Sequence, residues 1–154
     1  MSVLNDGAAF LKALLGLKVS RATATLPQTA QAAIFTVSTG RVIVTSLVGT
    51  VTTATGATAT NLSVVGNPTT GTDVVLASTV ASASKEIGAA FTLPVTFGSA
   101  LQVQNAGGAG LPLGTGFVLN PGTLDILTSA SNTGSIKWDI TYVPLDDGAS
   151  ITAA

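Results

Sequence analysis

The chain has 154 residues, 8% of them charged, a net charge of −1, and neither cysteine nor histidine. That length suits one domain burying roughly two-thirds of its unfolded surface, with far fewer charges than the roughly 25% of ordinary soluble domains. Without cysteine there is no disulfide framework, thiolate nucleophile or zinc–sulfur site, and without histidine the commonest general base and metal ligand are missing. The near-zero charge leaves no basic footprint for nucleic acid. A surface built from Thr, Ser, Gly, Ala, Asn and Gln is hydrated but weakly repulsive, which favours association.

In chain order, the first element is a helix within MSVLNDGAAFLKALLGLKVSRA (1–22). Leu4, Ala8, Leu11 and Leu15 recur at helical spacing, and Phe10, Leu14 and Leu17 widen the apolar stripe. Asn5 or Asp6 supplies an N-cap, and Gly16 weakens the end. Lys12 interrupts an apolar run that is too short for a membrane span, and it lies in the wrong place for a signal peptide. Two readings stand for this helix: it packs on its own domain, or it is an arm that docks on a neighbouring subunit. For the second, the contact residues are Leu4, Phe10, Leu11, Leu14, Leu15 and Leu17. The expected division is an N-terminal helix and arm over 1–21 and a β-domain over 22–154.

From Ala22 the apolar period changes to two. AAIFTVST (32–39) and RVIVTSLVGTVTT (41–53) flank a short turn with Gly40 and read as a hairpin. In the second run Val42, Val44 and Val48 are expected on one face, with Ile43, Thr45 and Leu47 on the other. Gly49 marks a bulge or a close backbone approach. Further strands are expected at 58–65, 72–78, 90–97, 101–104, 115–120 and 123–130, separated by turn-forming segments such as GNPTTG (66–71) and NPG (120–122). The strongest strand signal is SIKWDITYV (135–143), where Ile136, Trp138, Ile140 and Tyr142 alternate with Lys137, Asp139, Thr141 and Val143. Pro144 ends it, and Asp146-Asp147-Gly148 makes a turn. Such spacing predicts an all-β, antiparallel β-sandwich of the jelly-roll type, with a short N-terminal helix.

Motifs that invite catalysis or ligand binding are weak. Asp146-Asp147 lacks the further acidic spacing of a calcium loop. Ser82-Ala83-Ser84-Lys85 matches S-x-x-K, but the companion K-T-G is missing and the chain is too short for that fold. GGAGLPLGTG (107–116) has glycines but no G-K-[ST] ending, so it reads as a loop. The catalytic, cofactor and metal sets are therefore read as empty, and the chain as no enzyme.

Two stretches carry a resemblance. Phe35, Thr36, Val37, Gly40, Arg41 and Val42 fit a run of the type LFTV-x-GGRV, and Val51-Thr52-Thr53 completes a following G-x-VTT. Lys137, Trp138, Tyr142, Pro144, Leu145, Asp146, Asp147 and Gly148 fit a closing KW…Y-x-PLDDGA strand. Together they resemble a group of small virion proteins of tailed bacteriophages. The match covers both ends of the β-region, while 54–131 agrees only in general character, and Ser38-Thr39 departs where the group has a glycine nearer the turn. The resemblance implies a capsid decoration (cement) protein on the exterior of the virion, made in the cytoplasm of the bacterial host. Its partners would be the phage major capsid protein and itself, as a homotrimer, with no nucleic acid and no membrane. The alternative is a tail-tip or head-fibre module binding a host receptor, with loops 54–60 and 105–116 as its recognition surface. A secreted lectin-like sandwich is a third reading.

Overall fold

The computed structural model describes Lys12, residues 14–112 and residues 116–154. Eleven strands form two antiparallel sheets. The first sheet runs β1 (Leu17–Thr25), β10 (Ser135–Pro144), β3 (Val42–Thr53), β6 (Ala90–Thr92) and β7 (Gln102–Gln104), with β8 (Phe117–Leu119) also on β3. The second runs β11 (Ser150–Ala153), β2 (Gln31–Ser38), β9 (Gly122–Thr128), β4 (Asn61–Pro68) and β5 (Val74–Ala81). Stripped of β7, β8 and β11, the orders β1-β10-β3-β6 and β2-β9-β4-β5 are those of a jelly roll, as the alternating patterns predict.

The core fills the space between the sheets. Ile136, Trp138, Ile140 and Tyr142 all point inward from β10 and meet Phe35, Val37, Leu124 and Ile126 of the second sheet in one cluster. Trp138 is fully buried, tilted against Phe91 with ring centroids 6.5 Å apart. Its benzo ring lies over Gly49, its cross-strand neighbour on β3; a Cβ there would stand 2.6 Å from the ring. The sequence suggestion of a close approach at Gly49 is thus met, and the body that approaches is the indole.

Four expectations need correction. Residues 17–21 are not part of a helix: Gly16, at φ +87°, closes the last helical turn with its N–H on Lys12 O (2.9 Å), and the chain then enters β1. Pairing with β10 from Leu17↔Tyr142 to Thr25↔Ser135 overrides the helical spacing of Leu17, because an edge strand of this sheet gains a ladder of backbone bonds that a lone helical turn lacks. The β-domain therefore starts at Leu17 rather than at residue 22. Of the expected arm residues, Leu4, Phe10 and Leu11 lie outside the described residues.

Second, β2 and β3 form no hairpin, since they belong to different sheets. Thr39, at φ 70°, and Gly40 turn the chain across the end of the sandwich instead. Third, a bulge moves the faces of β3. Thr141 pairs with Ser46 but Tyr142 with Val44, so Thr45 is the extra residue and the inward set becomes Val42, Val44, Leu47 and Val51. One added residue exchanges every later side chain between faces, which puts Val48 on the outer side. Fourth, the expected strand 90–97 ends at Thr92, and Leu93 and Pro94 stay buried off the ladder. Strand β11, not anticipated, pairs with β2 from Ser150↔Ser38 to Ala153↔Phe35.

Trp138→Ala is expected to cost about 3–5 kcal/mol in denaturant unfolding, as large aromatic core truncations do. Gly49→Ala should cost about 1–3 kcal/mol by overpacking, and unfolding as stable as the parent would remove the indole from that contact.

Candidate interaction surface

The corner where β2 passes to β3 is built from residues more than a hundred positions apart. Arg41 makes a two-pronged ion pair with Asp146: Nε donates to Oδ2 at 2.9 Å and a terminal nitrogen to Oδ1 at 2.8 Å. The Arg41 backbone N–H adds a third bond to Oδ2 at 2.8 Å, and Leu145 N–H returns to Arg41 O at 2.9 Å. Gly40 is required beside them, because a Cβ there would meet the Asp146 Cβ at 2.7 Å. The hydrogen bonds from the Arg41 side chain and then its backbone hold the Asp146 carboxyl down to about 2. The same contact, by hydrogen bond and charge, raises the Arg41 guanidinium. Asp146 is thus a clamp, a role the sequence did not disclose.

A second charged group lies on the outer face of the first sheet. Asp139 faces Lys18 at 3.2 Å and Lys137 at 3.9 Å, and Ser20 Oγ donates to its Oδ1. Partial burial pushes its carboxyl up, but the bonds from Ser20 and Lys18 and the two lysine charges outweigh this, and the net direction is down. Lys137 and Asp139 meet on the outer row of β10, while Lys18 and Ser20 arrive from β1, in the segment whose spacing suggested a helix.

Ser82 and loop 54–60 are both tied into the sandwich by hydrogen bonds. Ser82 is fully buried and its Oγ donates to Thr60 O at 3.0 Å, so it presents no nucleophile to solvent. Loop 54–60 is tied down from inside: Asn132 Nδ2 donates to Gly56 O, Thr58 O and Thr60 Oγ1, and Thr55 Oγ1 donates to Ser82 O. Ala54 and the Ala57–Thr58–Ala59 tip are exposed, whereas Thr55 and Thr60 are buried. Among the described residues no group of three or more His, Cys, Asp or Glu side chains could hold a metal. No described helix is long and apolar enough to cross a membrane.

Apolar surface is also available for contact. Of the expected arm residues, Leu14 (59% exposed) and Leu17 (43%) are open, whereas Leu15 is half-buried and its carbonyl accepts a bond from Thr45 Oγ1. The last turn of the helix is therefore fastened to β3 with one leucine facing solvent. At the end of the sandwich opposite loop 54–60 a groove of about 260 Å³ opens between Val74 and Leu76 of β5, Val118 of β8, and Phe97 in the segment after β6. Asn67 and Asn120 line its polar side, and no charged residue lines it. Phe97 is 57% exposed and packs edge-on against Phe117 at 6.2 Å. The sequence offered no sign of this groove, since its walls come from four separated segments.

Asp125 was likewise missed. It is buried on the outer side of β9, with Oδ2 accepting from Gln31 (2.8 Å) and Asn67 (3.2 Å) and Oδ1 left without a donor. Nothing in the alternation of β9 marks it, because it occupies an outward position that neighbours cover.

Comparison with protein-family models, with curated proteins and with solved structures finds no match.

The Asp146 carboxyl is expected to titrate with a midpoint near 2 instead of its ordinary 3.8. The folded value lies below the unfolded one, so its stabilising effect is complete above about pH 4 and is lost as pH falls toward 2. Carboxyl-detected NMR titration reads this directly; a midpoint near 3.8, or one unmoved by Arg41→Ala, would mean that the clamp is absent in solution.

Proposed function

We propose that this chain is a bacteriophage virion structural protein, a capsid decoration (cement) protein that binds the major capsid protein lattice and stabilises the head. The observation that carries the reading is the corner at Arg41. The two stretches that resemble phage virion proteins, around Gly40-Arg41-Val42 and around Pro144–Gly148, are distant in sequence yet hydrogen-bonded into one unit. Shared residues that form a single structural unit are a more specific likeness than two unconnected matches.

The neutral skin supports the same reading. A net charge of −1 and few ion pairs leave little long-range repulsion between copies crowded on a shell. Stabilisation would come from linkage: a protein that binds only the assembled lattice favours assembly by mass action. Interfaces of modest area suffice when many copies engage at once. In this reading the N-terminal segment with Leu14 and Leu17 reaches a capsid protein or a sister subunit, three copies form a homotrimer, and the chain performs no catalysis. Its place is the capsid exterior, after synthesis in the bacterial cytoplasm.

A tail-tip or head-fibre module is the second reading, favoured by the uncharged groove at Phe97. An exposed ring beside amide side chains is a surface that a receptor's apolar and hydroxyl groups suit. Here Phe97 supplies an aromatic platform that loops 54–60 and 105–116 lack.

Electron cryomicroscopy of the purified virion distinguishes the readings by placing the density on the shell or on the tail. Deleting residues 1–14, which leaves β1 whole, is expected to give a folded β-domain that no longer binds heads lacking the protein. Capsid binding and oligomeric mass unchanged by that deletion would overturn the role of the arm.

A further inference from the structure

The core contains a second cavity, of about 90 Å³, between the two sheets near the β1 edge. Arg21 and Ala24 of β1, Leu26, Ile34 of β2, Ile126 of β9 and Trp138 line it. It exists because β1 leaves its register between Arg21 and Ala24, so the edge strand bows away from β10 just beside the indole. The small side chains of Ala24, Ala32 and Ala33 do not fill the space.

Trp138 Nε1 is buried and has no hydrogen-bond acceptor among the described residues. Leaving such a donor unbonded in the core is costly, so its partner has to be sought in the adjoining space. The benzo ring is held over Gly49 of β3, which leaves the pyrrole end and its N–H away from β3, on the side of the cavity. A chamber lined mainly by apolar side chains, with Thr25 and Arg21 besides, thus meets one buried donor. The one charged lining residue, Arg21, is held at the edge by its Nε bond to Ala154 O at 3.1 Å.

We propose that this cavity is a binding site for small neutral hydrogen-bond acceptors that bond to Trp138 Nε1: water, or a ketone or alcohol of a few heavy atoms that displaces it. The size fits that class, because it exceeds the roughly 10–15 Å³ that one water needs and falls short of the roughly 150 Å³ of an apolar cavity that takes benzene. An anion is excluded from the interior by its desolvation cost among aliphatic walls.

Trp138 is the only tryptophan, so the ¹⁵N-labelled protein has a single indole cross-peak to observe. Cross-relaxation from bulk water to the indole proton tests for water, and titration with propan-2-one tests for an organic acceptor. A saturable downfield shift of that proton with the ketone, lost in Ala24→Leu, is the expected result. Water cross-relaxation without a ketone shift keeps the acceptor site and assigns it to water alone. If Ala24→Leu does not fold, Ala33→Leu fills the same space from β2. An indole proton that shows neither response, or a ketone shift that persists unchanged in the filled variant, would overturn the proposal.

Discussion

The indole of Trp138 rests on the bare backbone of Gly49, and the geometry of the first sheet follows from that contact. A side chain at position 49 would occupy the space of the ring, so β3 and β10 can adopt only the register in which these two residues face each other. Once that pairing is set, Ile136, Ile140 and Tyr142 must point toward the second sheet, and the bulge at Thr45 brings Leu47 and Val44 into the same layer. The ring also reaches Phe91 on β6, so one residue couples three neighbouring strands. Its nitrogen, turned from β3, is left facing the space under the bowed edge strand.

Away from the core, the protein relies on hydroxyls where most domains use ions. Thr141 bonds both Thr45 and Ser46 across β10 and β3, and Thr23 bonds Thr52 across the outer face of the same sheet. Such bonds hold side chains in place without adding charge. Among the described residues the ion pairs fall at two points, the Arg41–Asp146 corner and the Asp139 group, and each joins segments far apart in sequence. A surface of this kind is short-ranged in its interactions, which suits contact by shape and apolar burial more than by electrostatic steering. The exposed leucines before β1 and the groove at Phe97 are the places where such contact has apolar area to bury.

The two ends of the sandwich differ in firmness. At one, Asn132 threads three bonds into loop 54–60 and Thr55 joins that loop to Ser82 and Lys85, leaving little freedom. At the other, the walls of the groove come from β5, β8 and the segment after β6, and Phe97 among them is 57% exposed. A loop that appeared suited to recognition by composition is thus braced from inside, with its exposed tip held in place.

Alternation along a single strand is a local property, and so the fold class, most strand positions and the inward face of β10 were legible in the amino-acid order. The polar outer row of that strand and the special place of Gly49 were legible for the same reason. What lay beyond reach was whatever depends on the partner of a segment. Leu17 to Arg21 has helical spacing when read alone, yet becomes a strand because β10 offers it a ladder. The Gly40 turn reads as a hairpin in the amino-acid order, yet it carries the chain between sheets and is fastened there by the Asp146 clamp. The extra residue at Thr45 leaves no trace in the sequence but exchanges the faces of half a strand. Composition and periodicity thus determined a neutral β-sandwich with no evident catalytic set; tertiary pairing alone decided where its edges, cavities and buried donor lie, because those arise between segments that no local pattern connects.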